Sequence, residues 1–467
     1  MWGLRWQTDL HFARHLAAES AGGSVVRHSV AHSTRVPKTH KEDTMTRLTR
    51  RDFLRLCGTS SIGLALAACA ITPTPTATPT PTSTPAPTNT ALPTATPTLT
   101  NTSLPTRTAT ATATVTATAT PRPPTLRDYA DKLKMDIGVH LAADSRPDQP
   151  FPLPKYREII ANEFNLVVVE SGLNWGYWEW QRGRPIYNLI DPQVQFAQED
   201  KMKIRGAHLI VGRHTGGGLP DWIVNGNFSR DELINLIRSR INQLLTRYKG
   251  KIAQWSVVGE PHIFPYWPYA HDDLFDEIIG PEYVDIAFQA ARESDPSAIL
   301  ILNQDNNYSS SYTSPGSPGM NTKVNKEIVQ RLASKGLIDG VGVEMHINPT
   351  KPLDKQDVIA TLKSYGVPVY VTEFDVRLSN VTGTQEERFA KQAQIYKDML
   401  EAAIESGVCK SSSVYDIGDK YSWYETFKQL QYYSPIADAT PFDDDLQPKP
   451  AYFALLQVLQ KFAAQSP

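Results

Sequence analysis

Two glutamates, Glu260 and Glu373, each follow a run of apolar, β-branched residues that is typical of a buried strand. Pro261 ends the first run with a turn, and Asp375 lies two residues beyond the second glutamate. Two carboxyl groups that face each other can perform glycoside hydrolysis, one protonated to assist the leaving group and one ionised to attack. A single glutamate at a strand end is equally compatible with a solvated residue, but two in equivalent positions favour the catalytic interpretation.

Eight short apolar runs recur at intervals of about 30 to 50 residues after residue 125. They cover residues 137–141, 166–169, 204–210, 252–258, 299–302, 341–345, 367–372 and 412–417. Helical patterns lie between them at 231–248, 281–292 and 385–405. This alternation predicts an α/β fold, a closed (β/α)8 TIM barrel. An open doubly wound sheet is the alternative, but no glycine-rich phosphate loop follows the first predicted strand.

Barrel enzymes carry their chemistry where the strands end and the following loops begin. The predicted strand ends are rich in polar side chains of the types that catalysis uses. They are His140, Glu170, His208, Glu260, Asn303, Glu344, His346, Glu373, Asp375, Asp416 and Asp419. The sequence therefore predicts one polar site at the mouth of the barrel.

The first 124 residues predict an export signal and a tether. Arg50 and Arg51 precede a short apolar run that ends at Cys69, so that 45–69 resembles a twin-arginine signal joined to a bacterial lipobox. A buried amphipathic helix is the alternative. Residues 1–44 show no pattern and are predicted to be a non-structural extension, whereas 70–124 form a Thr/Pro-rich, disordered stalk. The barrel, 125–467, is expected to be extracellular and attached to the bacterial membrane through a lipidated Cys69.

The composition argues against a nucleic-acid-binding protein. The 47 lysines and arginines nearly balance the 49 aspartates and glutamates, which leaves no basic field to attract nucleic acid. Of the 3 cysteines only Cys409 lies in the predicted barrel, where we expect it to be buried and structural. The sequence has no CxxC pair or HExxH motif, and we predict no cofactor and no metal. The expected partner is a polysaccharide substrate, and the barrel is expected to act as a monomer.

The chain from residue 126 to residue 461 resembles glycoside hydrolase family 10, the endo-β-1,4-xylanases. The similar stretches are 247–260, 339–343, 371–375, 419–423 and 448–452. The resemblance implies a retaining mechanism, with Glu260 as acid/base, Glu373 as nucleophile and the two carboxyls about 5 to 5.5 Å apart. It also implies that His346 contacts the nucleophile and that Asp375, on the same strand face as Glu373, holds this histidine. A satisfied core histidine is the alternative for His346.

Several positions depart from the family pattern. Gly259 stands where the family has the Asn that binds the sugar 2-hydroxyl, and Ser171 and Asn174 stand where it has an Asn and a Lys that grip the glycone sugar. Glu344 replaces a glutamine, and Tyr415 replaces the first of two tryptophans. The expected mechanism therefore transfers more directly than the expected substrate.

Three further features bear on the site. A third-strand Trp-His pair of the family is replaced by a longer segment, in which His214 is a candidate for the family histidine. Glu344 would add a third carboxylate, and we hypothesise that it raises the pKa of Glu260. Aromatic loops at 175–180 and 264–269 could stack on sugars or anchor loops by packing. The predicted substrate-binding residues are Asn174, Trp175, His208, His214, Gly259, Asn303, Glu344, Tyr415 and Trp423.

The sequence is compatible with three functions. The first is a retaining endo-1,4-β-xylanase, and the second keeps that mechanism on another β-glycan. The third is a cell-surface glycan-binding lipoprotein with weak catalysis. The presence of Glu260 and Glu373, with His346 and Asp375 behind one of them, speaks against the third.

Overall fold

A computed structural model describes residues 122–143, 151–213, 218–261, 273–305, 307–311, 313–314, 317–318, 320–351, 353–425 and 437–465. The predicted extension, the signal segment with Cys69 and the stalk as far as residue 121 lie outside the described residues. So do His214 and the aromatic loop 264–269.

Eight parallel strands form a closed barrel. They are β1 (Asp136–His140), β2 (Leu166–Val169), β3 (Lys203–Gly206), β4 (Gln254–Gly259), β5 (Ile299–Gln304), β6 (Gly340–Ile347), β7 (Val369–Val376) and β8 (Cys409–Val414). Each strand pairs with its neighbours in chain order, and β8 pairs with β1 to close the cylinder. The predicted (β/α)8 barrel is confirmed, and the open-sheet alternative is wrong. A two-stranded antiparallel ribbon, Thr313–Ser314 with Ser317–Pro318, lies outside the barrel sheet.

Helices connect most of the strands. They are α1 (Leu126–Leu133), α2 (Pro154–Glu163), α3 (Trp175–Trp178), α4 (Ile190–Glu199), α5 (Asp221–Val224), α6 (Arg230–Tyr248), α7 (Leu274–Ile278), α8 (Tyr283–Ser294), α9 (Met320–Ser334), α10 (Lys355–Lys363), α11 (Gln385–Glu405) and α12 (Pro450–Gln465), with a 3-10 turn at Asp419–Tyr421. In the described part of the chain, no helix has the length and apolar character needed to span a bilayer.

The sequence explains where the long helices begin. Ser229 accepts a hydrogen bond from the backbone of Glu232, whose side chain bonds back to the Ser229 backbone, and α6 starts at this capping box. Thr384 and Glu387 do the same for α11, which has the predicted bounds. The helix predicted at 281–292 is displaced by two residues, to Tyr283–Ser294.

Cys409 lies at the start of β8 and carries a free thiol. The prediction of a buried cysteine is wrong in degree, because this first residue of the strand is partly exposed. Its sulfur donates to the Ser411 carbonyl, and burial of the thiol raises its pKa to about 11. The thiol is therefore protonated at neutral pH.

A buried polar cluster fills the amino-terminal end of the barrel. Arg205 of β3 is fully buried and donates to Gln254 Oε1 at 3.1 and 3.0 Å and to Ser411 Oγ at 2.5 Å. Gln254 in turn donates to Asp136 Oδ2 at 3.0 Å. Burial lowers the pKa of Arg205 to about 10, which still leaves the guanidinium charged at neutral pH. This cluster ties β1, β3, β4 and β8 together at the end of the barrel away from the predicted site.

Replacement of Arg205 by Met should therefore destabilise the protein while nearly conserving volume. Gln254 and Ser411 would lose a charged donor, and unsatisfied buried groups cost about 1–3 kcal/mol each, so we expect a loss of roughly 2–4 kcal/mol in the free energy of unfolding. Urea titration followed by tryptophan fluorescence measures it. Arg238→Met, at an exposed residue of α6, is the matched control. An Arg205→Met protein as stable as the wild type would contradict a structural role for this cluster.

Candidate active site

The carboxyl ends of β4 to β7 bring the predicted catalytic residues to one mouth of the barrel. Glu260 follows β4, Asn303 lies in β5, and β6 and β7 carry the remaining polar residues. The register pairs Glu344 with Glu373 and pairs His346 with Asp375, with a local irregularity just before Glu344. Neighbouring strands therefore present acidic and imidazole side chains side by side.

Glu373 is held by two neighbouring side chains and is 8% exposed. Asn303 Nδ2 lies 3.1 Å from its Oε1, and His346 Nε2 lies 3.1 Å from its Oε2. Donors on both oxygens orient the carboxylate and stabilise its negative charge. The geometry suits a group that must attack from a fixed direction.

His346 lies between two carboxylates. Its Nδ1 is 2.6 Å from Asp375 Oδ2, while its Nε2 faces Glu373. Burial lowers the pKa of His346, but the charge and hydrogen bond of Asp375, together with Glu373, raise it well above its usual value. The imidazolium can then donate to both carboxylates at once.

Asp375 is fully buried and has further donors. Trp423 Nε1 donates to its Oδ2 at 2.9 Å, and the Tyr424 hydroxyl donates to its Oδ1 at 2.9 Å. The Trp423 ring also lies 5.1 Å from the His346 ring. The structure thus places Trp423 behind the histidine, where it fixes Asp375.

Glu260 adopts an uncommon backbone conformation, with φ of 45°. A residue other than glycine with positive φ is unusual and, when found, often marks a functional site. Its backbone N–H donates to the Asn303 carbonyl at 2.9 Å, which fixes the turn. Its Oε2 lies 2.6 Å from Arg213 Nη2. Sequence reasoning missed Arg213, although the arginine lies in the segment that was noted for its departure from the family.

The amide of Asn303 lies at the centre of the site. Its Nδ2 is 2.8 Å from His208 Nε2, 2.7 Å from Glu344 Oε1 and 3.1 Å from Glu373 Oε1, and its Oδ1 accepts from Thr372 at 2.6 Å. The three surrounding groups offer ligand atoms within 4.8 Å of one another, a spacing that could hold a metal ion. Because the amide nitrogen is within hydrogen-bond distance of all three, they surround a hydrogen-bond donor instead.

Glu344 is a third carboxyl group, 1% exposed. Its Oε2 has no hydrogen-bond partner among the described residues. Burial, followed by the charges of Glu373, Glu260 and Asp305, raises the pKa of Glu344 well above its usual value, while Arg213 lowers it. The charge of Glu260 therefore contributes to the raised pKa of Glu344. The hypothesis that Glu344 in turn raises the pKa of Glu260 stays a prediction.

A second polar group lies beside the first, across the closure of the barrel. His140 Nδ1 is 2.8 Å from Asp416 Oδ1, and its Nε2 is 3.4 Å from Glu170 Oε2. Tyr415 stacks on the His140 ring at 4.4 Å and donates to Glu170 at 3.2 Å. Burial lowers the pKa of His140, but Asp416 and Glu170 raise it to about 9. Of these residues only Tyr415 was predicted to bind substrate, although His140, Glu170 and Asp416 were all predicted to lie at strand ends.

Asn174 caps a helix and stays a predicted substrate ligand, whereas Trp175 is buried in packing, in contrast to the prediction that it binds substrate. The Asn174 side chain accepts from Gly176 N at 3.0 Å and caps α3. Trp175 is only 3% exposed, and its ring stacks near Phe275 with the Arg240 guanidinium over it. A ring covered in this way offers no platform to a sugar.

Comparison with known proteins agrees with this geometry. The family model for Glycosyl hydrolase family 10 matches residues 125–458. Endo-1,4-beta-xylanase B of Thermotoga neapolitana is 28% identical over 344 residues, which are 72% of this chain and 92% of that protein. Endo-1,4-beta-xylanase 3 of Hypocrea jecorina is 30% identical over 307 residues, 66% of this chain and 78% of its own.

Solved structures are similar in the same region. Native xylanase 10B from Thermotoga maritima superimposes with a TM-score of 0.64 at 28% identity, covering 73% of this chain and 99% of that one. Xylanase 10B from Thermotoga petrophila RKU-1, solved in complex with xylobiose, has a TM-score of 0.64 at 28% identity and covers 74% and 99%.

Glu344→Gln should change how stability depends on pH. The raised pKa of Glu344 in the folded state means that its contribution is complete below the unfolded value of about 4.3 and is lost as pH rises toward the folded value. The amide of Glu344→Gln does not titrate and does not show this loss. As pH rises through that window, the free energy of unfolding of the variant should therefore increase relative to that of the wild type, by up to about 1.4 kcal/mol per pH unit. Urea titrations from pH 4 to pH 8 measure the difference.

Glu158→Gln, at an exposed residue of α2, is the control for this experiment. It accounts for the effect of a Glu-to-Gln change at a solvent-exposed position. If the difference between Glu344→Gln and the wild type does not change with pH, Glu344 does not exchange a proton on unfolding in this range.

Proposed function

Because the chain belongs to glycosyl hydrolase family 10, we propose that it is a retaining endo-1,4-β-xylanase that cleaves internal linkages of xylan. The observation that carries the proposal is the placement of Glu260 and Glu373 at the ends of β4 and β7, with both oxygens of Glu373 held by donors. Similarity to endo-1,4-beta-xylanases over most of the barrel supports xylan as the substrate.

The first step forms a covalent intermediate. Glu373 attacks the anomeric carbon, the bond to the leaving oxygen breaks, and Glu260 transfers its proton to that oxygen. Attack consumes the negative charge of Glu373, while His346 keeps its pairing with Asp375. The imidazolium is therefore not left without a counter-charge when the ester forms.

The second step releases the sugar. Glu260, now ionised, removes a proton from water, and the water oxygen attacks the anomeric carbon and displaces Glu373. Arg213, at 2.6 Å from Glu260 Oε2, favours the ionised form that this step requires. Two displacements on the same carbon give net retention of configuration.

We also propose that Cys69 carries a lipid that attaches the enzyme to the outer face of a bacterial membrane. The proposal rests on the twin arginine, the apolar run that ends at Cys69 and the Thr/Pro-rich stretch that follows. A tether of this kind lets the barrel reach an insoluble polymer without leaving the cell.

The catalytic roles predict different responses to two substrates. Glu260→Ala should lower turnover of xylan by about 10²–10⁴-fold. With a dinitrophenyl xylobioside, whose leaving group needs no proton, it should have much less effect on the first release of dinitrophenol, whereas hydrolysis of the intermediate should still be slow because it needs Glu260 as base. Glu373→Ala should abolish both activities. Azide should restore turnover of the activated substrate with a β-azide product in Glu260→Ala and an α-azide product in Glu373→Ala. Wild-type activity on xylan in either variant would contradict the assignment, and Glu158→Gln is the control.

Reducing ends released from xylan and from a panel of other β-glucans test the substrate. Cleavage of xylan is expected. Cleavage of another glycan alone would retain the mechanism and change the substrate. Binding without any cleavage would favour the glycan-binding alternative.

The anchor predicts where the protein is found in its host. Cys69→Ala should move the enzyme from the membrane fraction to the soluble extracellular fraction, as measured by immunoblot of fractionated cells. Cys57→Ala, in the same segment, should leave it in the membrane. Membrane retention of the Cys69 variant would show that another element holds the protein.

A further inference from the structure

Gly259 and the imidazole of His208 compete for the same space. A Cβ atom built on Gly259 would lie 2.5 Å from His208 Cδ2, 2.7 Å from Cγ and 3.0 Å from Nε2. Packed interiors do not tolerate carbon atoms this close. The histidine ring therefore occupies the volume that a side chain on residue 259 would need.

This ring lies next to the nucleophile. His208 follows β3, its side chain is 10% exposed, and its Nε2 is 3.9 Å from Glu373 Oε1. The same nitrogen is 2.8 Å from Asn303 Nδ2. Since an amide nitrogen can only donate, Nε2 can face it only as an acceptor.

The Asn303 amide has more hydrogen-bond acceptors around it than it has hydrogens to donate. Its Nδ2 carries two hydrogens but has three acceptors in reach, on His208, Glu344 and Glu373. The amide cannot rotate freely, because its Oδ1 accepts from the Thr372 hydroxyl. Hydrogen bonds to carboxylates are the stronger ones, so the two hydrogens go to Glu373 and Glu344. His208 Nε2 is then left to accept a hydrogen from a hydroxyl group of a bound sugar.

We propose that His208 Nε2 accepts a hydrogen bond from the sugar hydroxyl at C2, in the space that Gly259 leaves open; this rests on the glycoside hydrolase function given above. Glu373 attacks C1, and C2 is the adjacent ring carbon that carries a hydroxyl. A group beside the attacking oxygen is placed to contact that hydroxyl. Hydrogen bonds to the 2-hydroxyl strengthen in the transition state of glycoside hydrolysis, so this contact would raise the rate as well as the affinity.

The proposal gives a reason for glycine at position 259. A longer side chain there and the His208 imidazole cannot both be present. His208, which follows β3, thus supplies an acceptor in the place that a side chain at the end of β4 would otherwise occupy.

The test compares two substrates that differ only at C2. Aryl release is followed for dinitrophenyl β-xylobioside and for its 2-deoxy-2-fluoro counterpart, whose fluorine cannot donate a hydrogen bond. His208→Ala should slow glycosylation by about 30-fold or more with the hydroxyl substrate and by less than about 3-fold with the fluoro substrate, each relative to the wild type. Equal factors on both substrates would overturn the proposal, because a purely structural effect would be the same for both.

A second set of variants tests the shared space. Gly259→Ala, which adds only a Cβ, should displace the ring and reproduce the substrate-dependent loss of His208→Ala. Gly259→Asn should be impaired more strongly, and the double variant His208→Ala/Gly259→Asn should recover about 10-fold over Gly259→Asn, since coupling is expected for residues in contact. Full activity of Gly259→Asn, or no recovery in the double variant, would contradict this competition for space.

The test of His208 does not depend on which sugar the enzyme cleaves. Glucosides and xylosides carry the same 2-hydroxyl, so the ratio can be measured on dinitrophenyl cellobioside and its fluoro counterpart if the wild type cleaves that glycan instead of xylan. If the wild type cleaves either sugar and His208→Ala slows the hydroxyl and the fluoro substrate by the same factor, the proposed role of His208 is wrong. The glycosidase function would still stand.

Discussion

The active site depends on how carboxyl groups buried on two adjacent strands are neutralised. An unpaired buried carboxylate costs several kcal/mol, and the register of β6 and β7 brings Glu344, Glu373 and Asp375 together. Two of these groups, Glu373 and Asp375, share the His346 ring, while burial and the neighbouring carboxylates raise the pKa of the third, Glu344. The rest of the site follows from this arrangement, since Trp423 and Tyr424 satisfy Asp375 and the Asn303 amide satisfies the two glutamates.

Much of this could be predicted from sequence because the signals are local. Each strand is a short apolar run, and strand periodicity alone puts Glu373 and Asp375 on one face. What could not be predicted depends on closure of the barrel. The contact between His140 and Asp416 joins residues 276 positions apart and exists only because β8 pairs with β1. Burial of Trp175 could not be predicted either, since an aromatic residue in a loop serves equally well as a platform or as an anchor.

Departures from the family pattern involve groups of neighbouring residues. Tyr415 stacks on His140 and bonds Glu170, so that the replaced tryptophan position belongs to a new polar group. Gly259 lies against His208, and Asn174 has become a helix cap. In each case the altered residue has a structural partner. The site therefore retains its nucleophile environment while the surface that meets the sugar has been rebuilt around it.

Closure of the cylinder by β1 and β8 has a consequence for biosynthesis. The first strand emerges from the ribosome long before the last, and its open edge has no partner until residues 409–414 have been made. Until then the chain exposes apolar strand edges, which are prone to aggregate. The contacts that secure closure, Arg205 with Ser411 and His140 with Asp416, also wait for this last segment. A chain that ends before residue 409 therefore lacks the second partner of β1 and keeps that strand edge open.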